Sequence, residues 1–118
     1  MATDSDARIP RPGQPVRGSR TGQPIMVLLD LLGRRWALGI LWQLHDGACT
    51  FRDLQDRCDS ISPSVLNTRL KELRAAHLVE RTPEGYALTL EGCALFDLIE
   101  PLGAWAKDWV NTLSIKPP

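Results

Sequence analysis

Six polar side chains between positions 62 and 71 carry the chemistry that this chain offers. Ser62, Ser64, Asn67, Thr68, Arg69 and Lys71 all fall within the segment SPSVLNTRLK. Hydroxyls and a carboxamide both donate and accept hydrogen bonds, and the two cations add charge. Such groups recognise rather than transform. Asn pairs bidentately with an adenine edge, Lys reaches guanine or a phosphate, and Ser and Thr serve either. The signatures of bond-making chemistry are missing: the sequence has no Gly-rich phosphate loop, no HExxH and no GxSxG.

Placed on a helix from Ser62 to His77 at about 100° per residue, Leu66, Leu70 and Leu73 align within roughly 60° of one another and face inward. Ser64, Asn67, Thr68 and Lys71 fall on the outer side. Short polar side chains at the front of a helix let it sit deep in a DNA major groove about 12 Å wide. Arg69 lies at the flank, where a salt bridge within the domain, a phosphate contact and base reading are all open. Arg74 is nearer the buried side and reads as structural. A merely solvated helix face would show the same outer residues, so the neighbouring elements decide.

Those elements follow from local signals. Pro24 suits the first turn of a helix, Ile25, Leu28, Leu29 and Leu32 recur at helical spacing, and Gly33 is a stop. A second helix is expected from about Arg34 to His45, with Trp36, Ile40, Leu41 and Leu44 inside and Gly47 ending it. Cys49 fits a one- or two-residue strand. Thr50 is an N-cap with Asp53 in a capping-box relation, and its helix covers Phe51 to Cys58. The turn Asp59-Ser60-Ile61 leads to Ser62 as N-cap and Pro63 at N1, with Ile61 and Leu66 as a hydrophobic staple. Leu78–Thr82 and Tyr86–Thr89 read as short strands around the turn Pro83-Glu84-Gly85. Thr89 then caps a long helix from Leu90 to about Leu113, which Pro101 bends.

The expected fold is therefore mainly α with a small β-hairpin (α+β): a winged helix-turn-helix with an added helix at each end. Thr50 and Arg52 join the candidate surface because free N–H groups and the dipole at a helix N-terminus favour a phosphate. Arg81, at the base of the wing, is a further phosphate candidate.

At 118 residues with 43% hydrophobic content, the chain fits one domain with a packed core. Residues 1–23 read as a flexible Pro/Gly/Arg-rich tail, 24–113 as the domain and 114–118 as a C-terminal tail. Four arginines against two aspartates give residues 1–23 a charge of +2, and the rest carries ten basic and twelve acidic side chains. This balance is unusual for a DNA binder, but local patches carry phosphate attraction. Arg8, Arg11, Arg17 and Arg20 could follow a minor groove, or the segment could be a leader without a role. The sequence shows no apolar leader and no window approaching about 18 apolar residues, which places the chain in the cytoplasm with no membrane partner. Cys49, Cys58 and Cys93 lack metal-ligand spacing and sit in apolar patterns, so no metal, no cofactor and no enzymatic role are expected.

The chain resembles the HxlR-type transcriptional regulators, a winged-helix group of small bacterial DNA-binding proteins related to the MarR class. The matching segments are LLGRRW with Ile40-Leu41, FRDL, ISPSVLNTRLKEL, LVER and YALT, spread over roughly residues 23–110. The resemblance implies a homodimer, paired through the terminal helices, that binds a near-palindromic operator in double-stranded DNA. Ile25, Leu28, Leu29, Leu98, Leu102, Trp105 and Trp109 are then the interface candidates. An unidentified small-molecule effector is a further partner. Two positions depart from the pattern. Many members carry a cysteine just before the first-helix proline, where this chain has Gln23, and family wings are commonly longer with a basic tip, where this chain has Glu84. The acidic tip and neutral charge motivate one alternative, a winged helix turned protein-interaction module with weak or no DNA binding. Trp36, Trp42, Trp105 and Trp109 could line an effector cavity, but packing of the core and of a dimer contact is the simpler use of them.

Overall fold

The computed structural model describes residues 8–114, so the two ends of the chain, 1–7 and 115–118, lie outside the described residues. Six helices and one hairpin follow in the order α1 (Pro24–Leu32), α2 (Ala37–Leu44), α3 (Phe51–Arg57), α4 (Pro63–Ala75), β1 (Val79–Thr82), β2 (Gly85–Leu88), α5 (Leu90–Ile99) and α6 (Pro101–Ser114). This is the expected winged helix-turn-helix, with one helix added before it and two, rather than one, after it.

Local capping sets most boundaries. Thr50 Oγ1 accepts from the Asp53 N–H at 3.1 Å, Ser62 Oγ from Val65 at 3.2 Å and Thr89 Oγ1 from Gly92 at 2.9 Å. At Thr50 only the N-cap half of a capping box forms. Between α3 and α4 the chain reverses through Asp59 and Ser60, both left-handed at φ 51° and 58°. Short polar side chains tolerate that region better than branched ones. Gln55 closes the turn: its carbonyl accepts from the Ser60 N–H and its Nε2 donates to the Ile61 carbonyl, at 3.0 and 3.1 Å.

Helix α3 ends at Arg57 rather than Cys58, the strands run Val79–Thr82 and Gly85–Leu88 against the expected Leu78–Thr82 and Tyr86–Thr89, and three further helix boundaries differ from expectation. The second helix starts at Ala37 rather than Arg34, because Trp36 adopts φ +75°, which no continuous right-handed helix contains. Helix α4 ends at Ala75 rather than His77, followed by His77 in a left-handed conformation and a Leu78 N–H to Leu73 carbonyl bond of 2.9 Å that closes its last turn. The long final helix is two, α5 and α6. Pro101 has no N–H to return to the carbonyl four residues back, and its ring crowds that carbonyl.

The core sits between α2, α3, α4 and the hairpin. Ile40, Leu41, Leu44, Leu54, Leu66, Leu70 and Leu73 are all fully buried. Each such side chain contributes about 1.5–3 kcal/mol relative to exposure. β1 and β2 pair antiparallel with Thr82 opposite Gly85, so the connection is two residues, Pro83-Glu84. Cys49 adds a single bridge to Tyr86 with N···O distances of 2.9 and 2.8 Å, as its one-residue strand requires. The strand passes so close that a Cβ on Gly85 would lie 2.4 Å from the Cys49 carbonyl oxygen. Gly92 likewise lets α5 rest on the Leu78 carbonyl, 2.1 Å from where a Cβ would stand.

Where a flexible tail is expected, residues 8–23 lie against the domain. Val16 and Ser19 bridge across a tight turn, Arg17 Nε meets Asp30 Oδ1 at 3.0 Å, and Arg34 Nη1 donates to the Arg8 carbonyl at 2.8 Å. The Arg17 guanidinium holds the Asp30 carboxyl below its ordinary value. Ile9 packs on the core.

Candidate nucleic-acid interface

The outer face of α4 is built by its inner one. With Leu66, Leu70 and Leu73 buried, the helical repeat turns Ser64, Asn67, Thr68 and Lys71 outward, and all four are exposed. The side chains of Asn67, Thr68 and Lys71 make no hydrogen bond or ion pair among the described residues, and that of Ser64 meets only Ser62 Oγ at 3.4 Å. Their donors and acceptors face solvent. Ser62 Oγ accepts at the N-cap, and its hydroxyl proton can go to Ser64 Oγ or outward.

Arg69 resolves differently. Its Nε donates to the Arg35 carbonyl at 2.7 Å and its Nη1 to Glu72 Oε1 at 3.0 Å. The guanidinium therefore works within the domain. Glu72 is the one charged side chain buried among the described residues, and its other oxygen takes Arg34 Nη1 at 2.7 Å. Two guanidiniums share one carboxylate, and no buried side-chain nitrogen or oxygen among the described residues is left unpartnered. Nothing local in the sequence signals this cluster. An acidic residue one helical step from Thr68 looks like a surface charge until Arg34 is seen to reach it across 38 positions of sequence.

Thr50 and Arg52 are exposed at the start of α3, and Arg52 has no intramolecular partner among the described residues. Arg81 is exposed on β1, with its guanidinium carbon 5.6 Å from the centroid of the Tyr86 ring directly across the ladder. The Thr82 hydroxyl locks the wing turn by donating to the Gly85 carbonyl and accepting from the Glu84 N–H.

The terminal helices carry the other surface. Leu98, Leu102, Trp105 and Trp109 are exposed by 76, 55, 60 and 48%, and α1 adds Ile25 and Leu29 at 58 and 50%. Leu28, expected with them, is half-buried against the core. Trp105 and Trp109 stack on each other at 5.7 Å rather than on the domain. Val110 and Leu113, also half-exposed or more, extend this face. Trp42 divides from the other tryptophans by packing edge-on to Phe96 at 5.1 Å.

Among the described residues no three of His, Cys, Asp and Glu gather as a metal site, and no helix is long and apolar enough to cross a membrane. Cys49 and Cys58 are buried, and burial pushes the Cys58 thiol up. Arg57 precedes Cys58 in sequence, yet its Nη1 reaches Cys49 Sγ instead, at 3.1 Å.

The profile of the HxlR-like helix-turn-helix family matches residues 31–114. Two relatives of Bacillus subtilis (strain 168) share this region. The uncharacterized HTH-type transcriptional regulator YvaP is 33% identical over 90 residues, covering 70% of this chain and 83% of its own. The HTH-type transcriptional regulator YodB is 39% identical over 84 residues, covering 65% of this chain and 75% of its own. The crystal structure of quinone-bound YodB superposes with a TM-score of 0.66 at 36% identity, over 71% of this chain and 96% of that one.

Proposed function

As the chain belongs to the HxlR-like helix-turn-helix family and is a DNA-binding transcriptional regulator, we propose that it acts as a homodimer on a near-palindromic operator. The observation that carries this reading is the unengaged face of α4, where Ser64, Asn67, Thr68 and Lys71 stand exposed on a helix whose back is the core. Inserted in the major groove, Asn67 and Thr68 read base edges, and Ser62, Ser64 and Lys71 reach bases or phosphates. Thr50, Arg52 and Arg81 hold the backbone. The wing contributes little at its tip, because Glu84 repels phosphate. Arg69 contributes by orienting its neighbours.

The bare apolar faces of α1, α5 and α6 supply the dimer contact. Apolar patches of this extent are usually covered by a partner, and a two-fold pair would set two α4 helices about one DNA turn, ~34 Å, apart. The protein works in the cytoplasm by binding, without catalysing a reaction. YodB has been solved in a quinone-bound form. A small apolar effector finds room here in a groove of about 290 Å³ between the N-terminal segment (Ile9, Pro12), α1 (Leu28) and the turn after α4 (Ala76, His77). The alternative of an interaction module that has lost DNA binding gains nothing from the relatives, which are HTH-type regulators.

Selection of random duplexes tests the reading. An enriched motif of two half-sites one turn apart is expected. Thr68→Ala should alter base preference, whereas Arg52→Ala should weaken every duplex alike. Selection that returns no motif would sink the proposal of a sequence-specific operator.

A further inference from the structure

Arg35 lies outside every group of residues that the sequence nominated for DNA. It sits in the turn between α1 and α2, and four features of that turn converge on it. Its side chain is exposed and has no carboxylate partner among the described residues. Its guanidinium carbon stands 5.7 Å from the centroid of the Trp36 ring, a cation–π contact, and its side-chain N–H groups have no hydrogen-bond acceptor among the described residues. Its backbone is pinned to the recognition helix, because the Arg35 carbonyl accepts from Arg69 Nε at 2.7 Å. Trp36, the next residue, holds a left-handed φ of +75°. A bulky residue keeps such a conformation, at a cost on the order of 1–3 kcal/mol, only where its surroundings over-determine it.

Charge adds direction. Arg34 and Arg69 both pair with a single carboxylate, Glu72, and Arg69 also holds the Arg35 carbonyl. Two guanidiniums on this one carboxylate, with the Arg35 side chain unpaired by any carboxylate among the described residues, put positive charge at this edge of a chain whose formal net charge is zero. Glu72 follows Thr68 by one turn of α4, so the cluster flanks the Thr68 edge of the reading face. A helix seated in the major groove has phosphates along both of its flanks.

We propose that Arg35 is a phosphate-contacting residue of the DNA complex, held at the edge of the recognition helix by Arg69, which is a positioning residue rather than a base reader. This rests on the DNA-binding reading of α4 and adds to it the anchor that the acidic wing tip does not provide. Glu72 fixes Arg69, Arg69 fixes the Arg35 backbone, and the Trp36 ring holds the Arg35 guanidinium facing out.

The test uses the full chain and two labelled duplexes of about 24 base pairs, roughly two helical turns with flanks. One is isolated by binding selection with the unsubstituted protein and the other is unrelated in sequence. Fluorescence anisotropy gives Kd between about 50 and 200 mM salt. Arg35→Gln is expected to weaken both duplexes alike, about 3- to 10-fold at mid-range salt, and to lower the slope of log Kd against log salt by about 0.9 for each phosphate left without its cation. Arg35→Lys restores most of the slope. Arg69→Lys keeps a cation for Glu72 but loses the Nε donor to Arg35, so it weakens binding in the parent chain and has little further effect in Arg35→Gln. A slope and Kd unchanged in Arg35→Gln overturns the assignment, as does Arg35→Lys behaving like Arg35→Gln. Additive effects of the Arg35 and Arg69 substitutions overturn the positioning role. If the unsubstituted chain binds neither duplex in a salt-dependent way, the DNA reading itself falls and this inference falls with it.

Discussion

Replacing Glu72 by glutamine should destabilise the protein more than any other single surface-looking charge on α4. The carboxylate accepts from Arg34 Nη1 at 2.7 Å and from Arg69 Nη1 at 3.0 Å, with side-chain exposures of 11% for Glu72, 24% for Arg34 and 19% for Arg69. A carboxamide keeps the shape but turns an NH2 donor toward one of the two guanidiniums. It also removes the charge that lets two cations sit side by side. Removing one partner of a buried pair typically costs about 3–5 kcal/mol. Here each guanidinium keeps a carbonyl acceptor, of Arg8 or Arg35, and is partly wet, so the figure falls to about 2 kcal/mol. For a domain of this size that is a fall in Tm of roughly 8 °C. Urea denaturation followed by circular dichroism, at one fixed protein concentration, measures it. A loss under about 0.5 kcal/mol would refute the reasoning, because it would mean that solvent already neutralises the cluster.

Other expectations are as direct. Gly92→Ala places a Cβ 2.1 Å from the Leu78 carbonyl oxygen, a backbone atom that cannot step aside, and should cost about 2–3 kcal/mol in denaturant melts; a neutral result would mean that α5 shifts freely. Trp105→Glu should convert a dimer to monomer in sedimentation velocity while leaving the monomer folded, since Trp105 is 60% exposed and packs on Trp109 rather than on the core. The Arg17–Asp30 pair should follow the sign of a depressed carboxyl pKa. Its contribution is complete above the ordinary value of 3.8 and is lost as pH falls through the lowered one. An NMR titration placing Asp30 at or above 3.8 would remove the latch between the N-terminal segment and α1.

Local chemistry made most of the fold legible before any coordinates. Thr50, Ser62 and Thr89 cap where capping preference puts them, since an N-cap depends only on the next three residues. The faces of α4 follow from periodicity alone, because a helix repeats every 3.6 residues whatever it packs against. Segment matches then pointed to the helix-turn-helix family, which periodicity alone does not do.

Interactions between distant positions decided the rest. No local pattern marks Trp36 as left-handed, so the second helix looked three residues longer at its start than it is. The residues of segment 8–23 show low apolar content and many prolines and glycines, yet Arg17 and Arg34 tie them to α1 and to the turn after it. Arg69, open to three uses in the sequence, is drawn inward because Arg35 and Glu72 meet it from opposite directions. A sequence records which side chains carry charge and with what helical phase. Which carboxylate a guanidinium reaches is set by how α1, α2 and α4 stack, since ion pairs across 38 positions exist only after the core between them has closed.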